Sequence, residues 1–354
     1  MATDQDLLHR LETDEGEKPD LDLSWLNVDT EWGVSATPGK RGLTLDEINR
    51  GSYGNVPAMS SEQTMRPRGA AARTGVPHTG YYVRDAGSVW SQNATMLYEE
   101  AVQRQWSSAT DIPWRDLAPL PDEIERAMCQ LCTFLTEVEF IAGDTPSQWL
   151  PKISNEHFET KLFLTTQIMD EARHLDVFRK RALANGGGLM KSAPSSGLRV
   201  IINARDFTEM SSIMHVQAEG FVQSMFRMGE LVSNSDVEKR IFRLCAQDES
   251  RHLGFGVMHL KYVLETEPER REEIHSYLDE AEGFDPENGT FGPDVASALI
   301  MLLGKGDIDE GFGKFLALQK RQVNEYMHRL SVAGLPERRE RMHPNMAVFL
   351  EPAA

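Results

Sequence analysis

Two copies of one five-residue phrase, Asp170-Glu171-Ala172-Arg173-His174 and Asp248-Glu249-Ser250-Arg251-His252, each set a carboxylate and an imidazole three residues apart. On a helix that spacing puts both groups on one face, close enough to share a metal ion. One Glu-x-x-His in a helical protein means little. Two copies in the same frame, in separate long helices, point to a pair of metal ions. A site of that kind takes such a motif from each of two helices and one inward carboxylate from each of two others. The chain must then supply two more helices carrying a buried glutamate. A charged group inside an apolar helix carries a desolvation penalty, and coordination is its natural compensation.

The helix that precedes the first motif offers Glu137 and Glu139, which sit about 200° apart and cannot both face inward. Its apolar stripe is Ile124, Met128, Leu131, Leu135, Val138 and Ala142, with Glu139 at the edge and Glu137 on the side of Gln130 and Thr133. Glu139 is the better candidate, and Glu137 stays open. The helix that precedes the second motif offers Glu219, set among Val216, Ala218, Phe221, Val222 and Phe226. Glu219 lies 30 residues before Glu249, close to the 32 that separate Glu139 from Glu171. Two antiparallel hairpins with ligands at one depth produce such near-equal intervals. His215, one turn before Glu219, has three readings: a hydrogen-bond donor to a ligand, a seventh ligand, or a polar side chain satisfied elsewhere.

The candidate set is Glu139, Glu171, His174, Glu219, Glu249 and His252. Four carboxylates balance two divalent ions, and an oxygen-rich set with two imidazoles suits redox-active iron, with manganese possible at one or both positions. Asp170 and Asp248 are placed to hold the distal nitrogens of the histidines, each across the site on the opposite helix. Arg173 and Arg251 are placed to neutralise those aspartates.

The elements that must position these groups read as helices. Periodicity predicts a helix over 88–108 and another from Pro121 to about Ala142, since a residue of the first turn needs no amide donor. A third runs over Asn155–Ala184, stopped by Asn185-Gly186-Gly187-Gly188. A Pro/Ser/Gly loop at 194–197 leads to a fourth helix over 199–232. Ser233-Asn234-Ser235-Asp236 turns and caps a fifth that reaches Glu265. Shorter helices are expected at 269–283, 293–304 and 308–330, with strand signals weak throughout. The fold class is all-α: a four-helix core with additional helices. Residues 1–87 read as an irregular segment wrapping that core, 88–330 as the helical di-metal domain and 331–354 as an irregular tail. Trp25, Leu26 and Trp32 are the expected apolar anchors of the first segment.

The chain has 354 residues and a formal net charge of −18, which gives a nucleic-acid backbone no basic partner surface. No apolar run approaches the roughly 18 residues of a membrane span. The start lacks the basic and apolar regions of a secretory signal. Cys129, Cys132 and Cys245 make an odd, sparse set that fits a reducing cytoplasm, with Cys129 and Cys132 read as buried thiols rather than a redox or zinc pair.

The paired Asp-Glu-x-Arg-His segments resemble the ferritin-like di-iron carboxylate superfamily, and above all bacterial multicomponent monooxygenase hydroxylase subunits and ribonucleotide reductase small subunits. The segment Glu139-Phe140-Ile141-Ala142 looks like the first ligand helix of those hydroxylases, which favours Glu139 over Glu137. The resemblance covers residues 88–265. It implies two iron ions that activate dioxygen, one held by Glu139, Glu171 and His174, the other by Glu219, Glu249 and His252, with Glu219 a candidate to move during turnover. The chain departs from the pattern in three places. Gln223 stands where such monooxygenases carry threonine, Phe178 stands where reductases carry the radical tyrosine, and the tail has no tyrosine for radical transfer.

The leading expectation is a non-haem di-iron oxygenase that hydroxylates or N-oxygenates a small organic substrate, with Phe134, Leu175, Phe178, Met225 and Phe226 as pocket or core. The alternatives are a reductase-like di-iron or manganese/iron oxidase, and a non-enzymatic iron-binding protein on the same scaffold. With no glycine-rich dinucleotide fingerprint and no four-cysteine cluster motif, a separate electron donor such as a ferredoxin or flavin reductase is expected, as is a homodimer.

Overall fold

Long amphipathic helices dominate the chain because apolar residues recur at helical spacing, with breaks such as Asn185-Gly186-Gly187-Gly188 separating the runs. The computed structural model describes residues 3–13, 20–28, 30–192, 198–233, 235–283 and 292–352. The expected loop at 194–197 and Asn234 of the expected turn lie outside them. Helix α1 is Ala94–Gln103, α2 Asp122–Ser147, α3 Phe158–Ala184, α4 Glu219–Val232 and α5 Asp236–Thr266. Around them stand α6 (Arg271–Glu282), α7 (Gly292–Leu303) and α8 (Ile308–Ala333).

Local chemistry sets the ends. Pro121 precedes α2, and Asp122, Glu123 and Glu125 lie in its first turn, where the helix dipole favours negative charge. After α3, Gly186 turns the chain with φ 76°, a conformation that disfavours any side chain. Ser235 caps α5 by accepting from the amide of Val237, and Asp307 caps α8 by accepting from that of Glu310. Gly334 closes α8 in the left-handed region at φ 103°.

The α2–α3 and α4–α5 pairs make the most extensive contacts in the molecule, so the core is two helical hairpins laid side by side. Among the described residues there is no β-sheet, only isolated bridges, one of them joining Val83 to Ile153. The N-terminal segment is fastened to the start of α3 by Arg68. Its guanidinium pairs with Glu159, donates to the carbonyl of Glu156 at 2.7 Å and lies over the ring of Phe158. The tail folds back as well: Leu335 and Met342 join the apolar cluster of Leu260, Tyr326 and Leu330, and the buried Arg338 pairs with Glu282.

Three features differ from the sequence reading. The helix expected over 88–108 is shorter because Arg104 ends it and Trp106 turns inward to a buried partner. The helix expected over 199–232 is broken. Leu198–Ile202 ends at Asn203, Asp206 caps Phe207–Ser211 by accepting from the amide of Glu209, and Ser212–Ala218 then forms a π-helical stretch that runs into α4. Trp25, Leu26 and Trp32 are exposed rather than anchoring, Trp32 to 94%.

Candidate metal centre

Each hairpin carries one Glu-x-x-His helix and one single-glutamate helix, and the four converge. Glu139 projects from α2, Glu171 and His174 from α3, Glu219 from the start of α4, and Glu249 and His252 from α5. All six are buried. Their ligand atoms form two adjoining groups, Glu139, Glu171, His174 and Glu249 in one and Glu171, Glu219, Glu249 and His252 in the other. Glu171 and Glu249 belong to both, which is the position of bridging carboxylates.

The histidines face inward with Nδ1. That of His174 lies 3.1 Å from Glu171, 3.3 Å from Glu249 and 3.8 Å from Glu139. That of His252 lies 3.0 Å from Glu171, 3.3 Å from Glu249 and 3.9 Å from Glu219. The two sets mirror one another. Glu137, by contrast, is only half-buried and belongs to neither group.

Behind the histidines the aspartates cross over as the sequence suggested. Asp248 accepts from His174 Nε2 and Asp170 from His252 Nε2, each at 3.2 Å. This holds the proton on Nε2 and leaves the Nδ1 lone pair for an ion. Arg251 pairs with Asp170 at 2.7 Å and Asp248 at 2.6 Å, and Arg173 pairs with Asp170 and, at 3.1 Å, with Asp248. Two aspartates and two arginines close a buried, neutral square.

The electrostatics match a site built for cations. Burial, reinforced by the charges of Glu171 and Glu249, pushes the carboxyl of Glu139 well above the usual range despite His174. Burial does the same to Glu219, with Glu249, Glu171 and Glu139 adding to it against His252. Burial also works against ionised Glu171, but the neighbouring His252 and His174 outweigh it and hold that carboxyl low. The two imidazoles resist burial through their acidic neighbours and are held above their ordinary value. Glu139 Oε1, Glu171 Oε1 and Glu219 Oε2 are buried without a hydrogen-bond partner, the first-motif oxygen lying near His252 but outside bonding geometry. Orphaned carboxylate oxygens inside a protein call for a cation. The residues present thus fit two ions, and oxygen with imidazole nitrogen suits iron and manganese.

Three participants escaped the sequence reading. Gln167, one turn before Glu171, donates to Glu219 Oε1 at 2.9 Å and lies 3.1 Å from His215 Nε2 through its carbonyl. Of the three readings of His215, the structure gives the polar side chain satisfied elsewhere: Nδ1 meets Ser211 Oγ at 2.9 Å and Nε2 meets Gln167, which in turn holds Glu219. Burial first, then His252 and His259, holds His215 well below its ordinary value, so it is neutral. Trp106 donates from Nε1 to Asp248 at 2.7 Å and stacks against His174. Cys245 lies beside His174, one turn before Glu249. The spacing of Gln167 and Cys245 from the motif glutamates was a usable signal; Trp106 had none, because a loop carries it in.

Gln223 bonds to Ser250 Oγ at 2.6 Å, and Phe178 packs on Phe226 with ring centroids 5.4 Å apart. Phe134, Phe178, Met225 and Phe226 belong to one core cluster, whereas Leu175 is half-buried. All three cysteines are buried and free. No helix among the described residues is long and apolar enough to cross a membrane.

No protein-family model matches the chain, and no curated protein matches it significantly. Solved structures do. A variant R2-like ligand-binding oxidase with an aerobically reconstituted Mn/Fe cofactor aligns at TM-score 0.53 and 19% identity, over 69% of this chain and 94% of that one. Another variant, with an aerobically reconstituted Fe/Fe cofactor, gives 0.53 and 20% over the same shares. A third structure, with Mn/Fe after a long soak, gives 0.52 and 20% over 69% of this chain and 93% of that one. At this identity the likeness speaks for architecture, and the chain has the ferritin-like all-α fold of the R2-like ligand-binding oxidases.

Proposed function

We propose that this chain is an oxygen-dependent di-metal oxidase holding two iron ions, or one manganese and one iron, with Glu139, Glu171, His174, Glu219, Glu249 and His252 as ligands. The observation that carries this reading is the pair of adjoining ligand groups that share Glu171 and Glu249. A reduced metal pair, once bound, supplies the electrons that reduce dioxygen. The solved structures of like fold carry Mn/Fe or Fe/Fe, in accord with the donor set.

The protein's own groups have definite tasks. Glu171 and Glu249 hold the two positions together. Asp170 and Asp248 fix the tautomer of the histidines, and Arg173 and Arg251 pair with both aspartates. Burial of all six side chains keeps bulk water from the reacting centre. Trp106, bonded through Asp248 to His174, gives a bonded route by which electrons from a separate donor reach the site. A ferredoxin or a flavin reductase fits that role, and the proposal extends to a cytoplasmic homodimer.

Hydroxylation or N-oxygenation of a small organic molecule is the second reading. It is ranked lower because Phe134, Phe178, Met225 and Phe226, the side chains that would line a pocket, fill a core cluster instead. The test is to load the protein anaerobically with Fe²⁺, alone or with Mn²⁺, admit dioxygen, and follow oxygen uptake and metal oxidation. Oxygen uptake with oxidation of both metals supports an oxidase, and label from ¹⁸O₂ in an added amine or arene would favour the oxygenase. Two bound metals inert to dioxygen would leave a metal-binding protein and overturn both.

A further inference from the structure

Helix α8 is not one of the four ligand helices, yet it grips the one that carries Glu219. Its residues Gln322, Glu325 and Arg329 recur at helical spacing and meet the π-helical stretch and the start of α4. Arg329, buried, donates from Nε to the carbonyl of Val216 at 3.0 Å. Gln322, with no exposed surface, donates to the carbonyl of Phe221 at 2.8 Å. Glu325 accepts from Ser224 Oγ at 2.5 Å.

The π-helical stretch explains why such a grip is needed. The amide of Glu219 bonds to the carbonyl of Met214, five residues back rather than four. Returning from that pattern to the α pattern leaves one carbonyl more than there are helical donors, within the turn that Arg329 reaches. Arg329 donates to the Val216 carbonyl in that same turn, three residues before Glu219. Gly220 makes the approach possible: a Cβ there would stand 2.3 Å from Arg329 Nη2. Arg329 is a demanding choice for the task. Its Nη2 is buried without a hydrogen bond, and burial holds the guanidinium down at about 10. The carboxylate of Glu325 offsets part of that cost, and the guanidinium nitrogen that does bond, Nε, is the one aimed at the Val216 carbonyl.

We propose that α8 sets the position of Glu219 in the metal site by a two-point clamp, Arg329 on the Val216 carbonyl and Gln322 on the Phe221 carbonyl. Both are positioning residues: they touch the backbone on either side of Glu219 and act on the site through it. The clamp rests on the reading of Glu219 as a metal ligand. It works with Gln167, which holds the side-chain oxygen Oε1 while the clamp holds the main chain.

The test uses the full chain, with Mn²⁺ and Fe²⁺ as probes, in Arg329→Met, Gln322→Leu and Gly220→Ala, the last displacing the guanidinium without removing it. Glu219→Gln is the reference and is expected to lose one of two metals. Each clamp variant should then weaken that same metal about tenfold, the lower end for residues that orient ligands. It should alter that ion's EPR or Mössbauer signature and speed amide exchange at 215–221 in the metal-free protein, leaving the other ion unchanged. If Arg329→Met fails to fold, Gln322→Leu and Gly220→Ala carry the same expectation. Should Glu219→Gln lose a metal while the clamp variants keep wild-type affinity and spectra and only melt earlier, the clamp is merely structural and the proposal is overturned. Two metals retained by Glu219→Gln would instead sink the ligand assignment itself, and the clamp with it.

Discussion

Replacing Asp248 with asparagine changes almost no volume and should still cripple one of the two metal positions. Asp248 is fully buried and accepts from four donors: His174 at 3.2 Å, Trp106 at 2.7 Å, Arg173 at 3.1 Å and Arg251 at 2.6 Å. An asparagine has one acceptor oxygen. Whichever way it turns, its amide hydrogens confront either Arg251 or the other three donors. It also leaves two guanidinium groups facing only Asp170. The His174 proton is then no longer held on Nε2, and the Nδ1 lone pair is no longer reserved for the ion. Outer partners of this type change metal affinity by about 10–100-fold, or about 1.4–2.7 kcal/mol. Breaking the buried charge square lowers the stability of the metal-free protein by about 3–5 kcal/mol. Chelator competition with Fe²⁺, with melting of the metal-free protein in parallel, measures both. Because the square is symmetric, Asp248→Asn should weaken the ion on the His174 side and Asp170→Asn the ion on the His252 side. Wild-type affinity for both ions in Asp248→Asn would refute the reasoning.

Three further outcomes follow from the same geometry. Glu139→Gln should lose one metal whereas Glu137→Gln keeps both, by elemental analysis after loading, because only Glu139 reaches the ligand groups. Arg181→Met should lower unfolding stability by about 3–5 kcal/mol in denaturant titrations, since it strands Glu238 at 2.5 Å and Glu125 at 2.7 Å from the lost guanidinium. At pH 8 no thiol should react with a thiol reagent in the native protein and all three should react in denaturant, because every cysteine is buried and burial lifts Cys245 to about 12.

The centre of the site was legible because it is written locally. Glu-x-x-His is a helical spacing, its repetition fixes two helices, and near-equal intervals locate Glu139 and Glu219. The crossing of Asp170 and Asp248 was legible too, since they repeat in the same frame. What escaped depends on contacts distant in sequence. Trp106 leaves α1 to reach a partner 142 residues away. The π-helical turn before Glu219 has no sequence periodicity of its own and is met by Arg329 from 113 residues further on. The break in the helix expected over 199–232 lies at Asn203 and Asp206, the latter capping Phe207–Ser211, and the apolar spacing on either side runs through it. The exposure of Trp32 shows the opposite failure: an apolar residue in an irregular segment need not find a core.

The central claim is that six side chains hold two ions joined by shared carboxylates. The most direct test is anaerobic loading of the whole chain with Fe²⁺, metal quantification, and Mössbauer spectroscopy in an applied field after oxidation. Two irons per chain, antiferromagnetically coupled, are predicted, because Glu171 and Glu249 belong to both ligand groups. One iron per chain, or two that behave as isolated ions, would contradict the account.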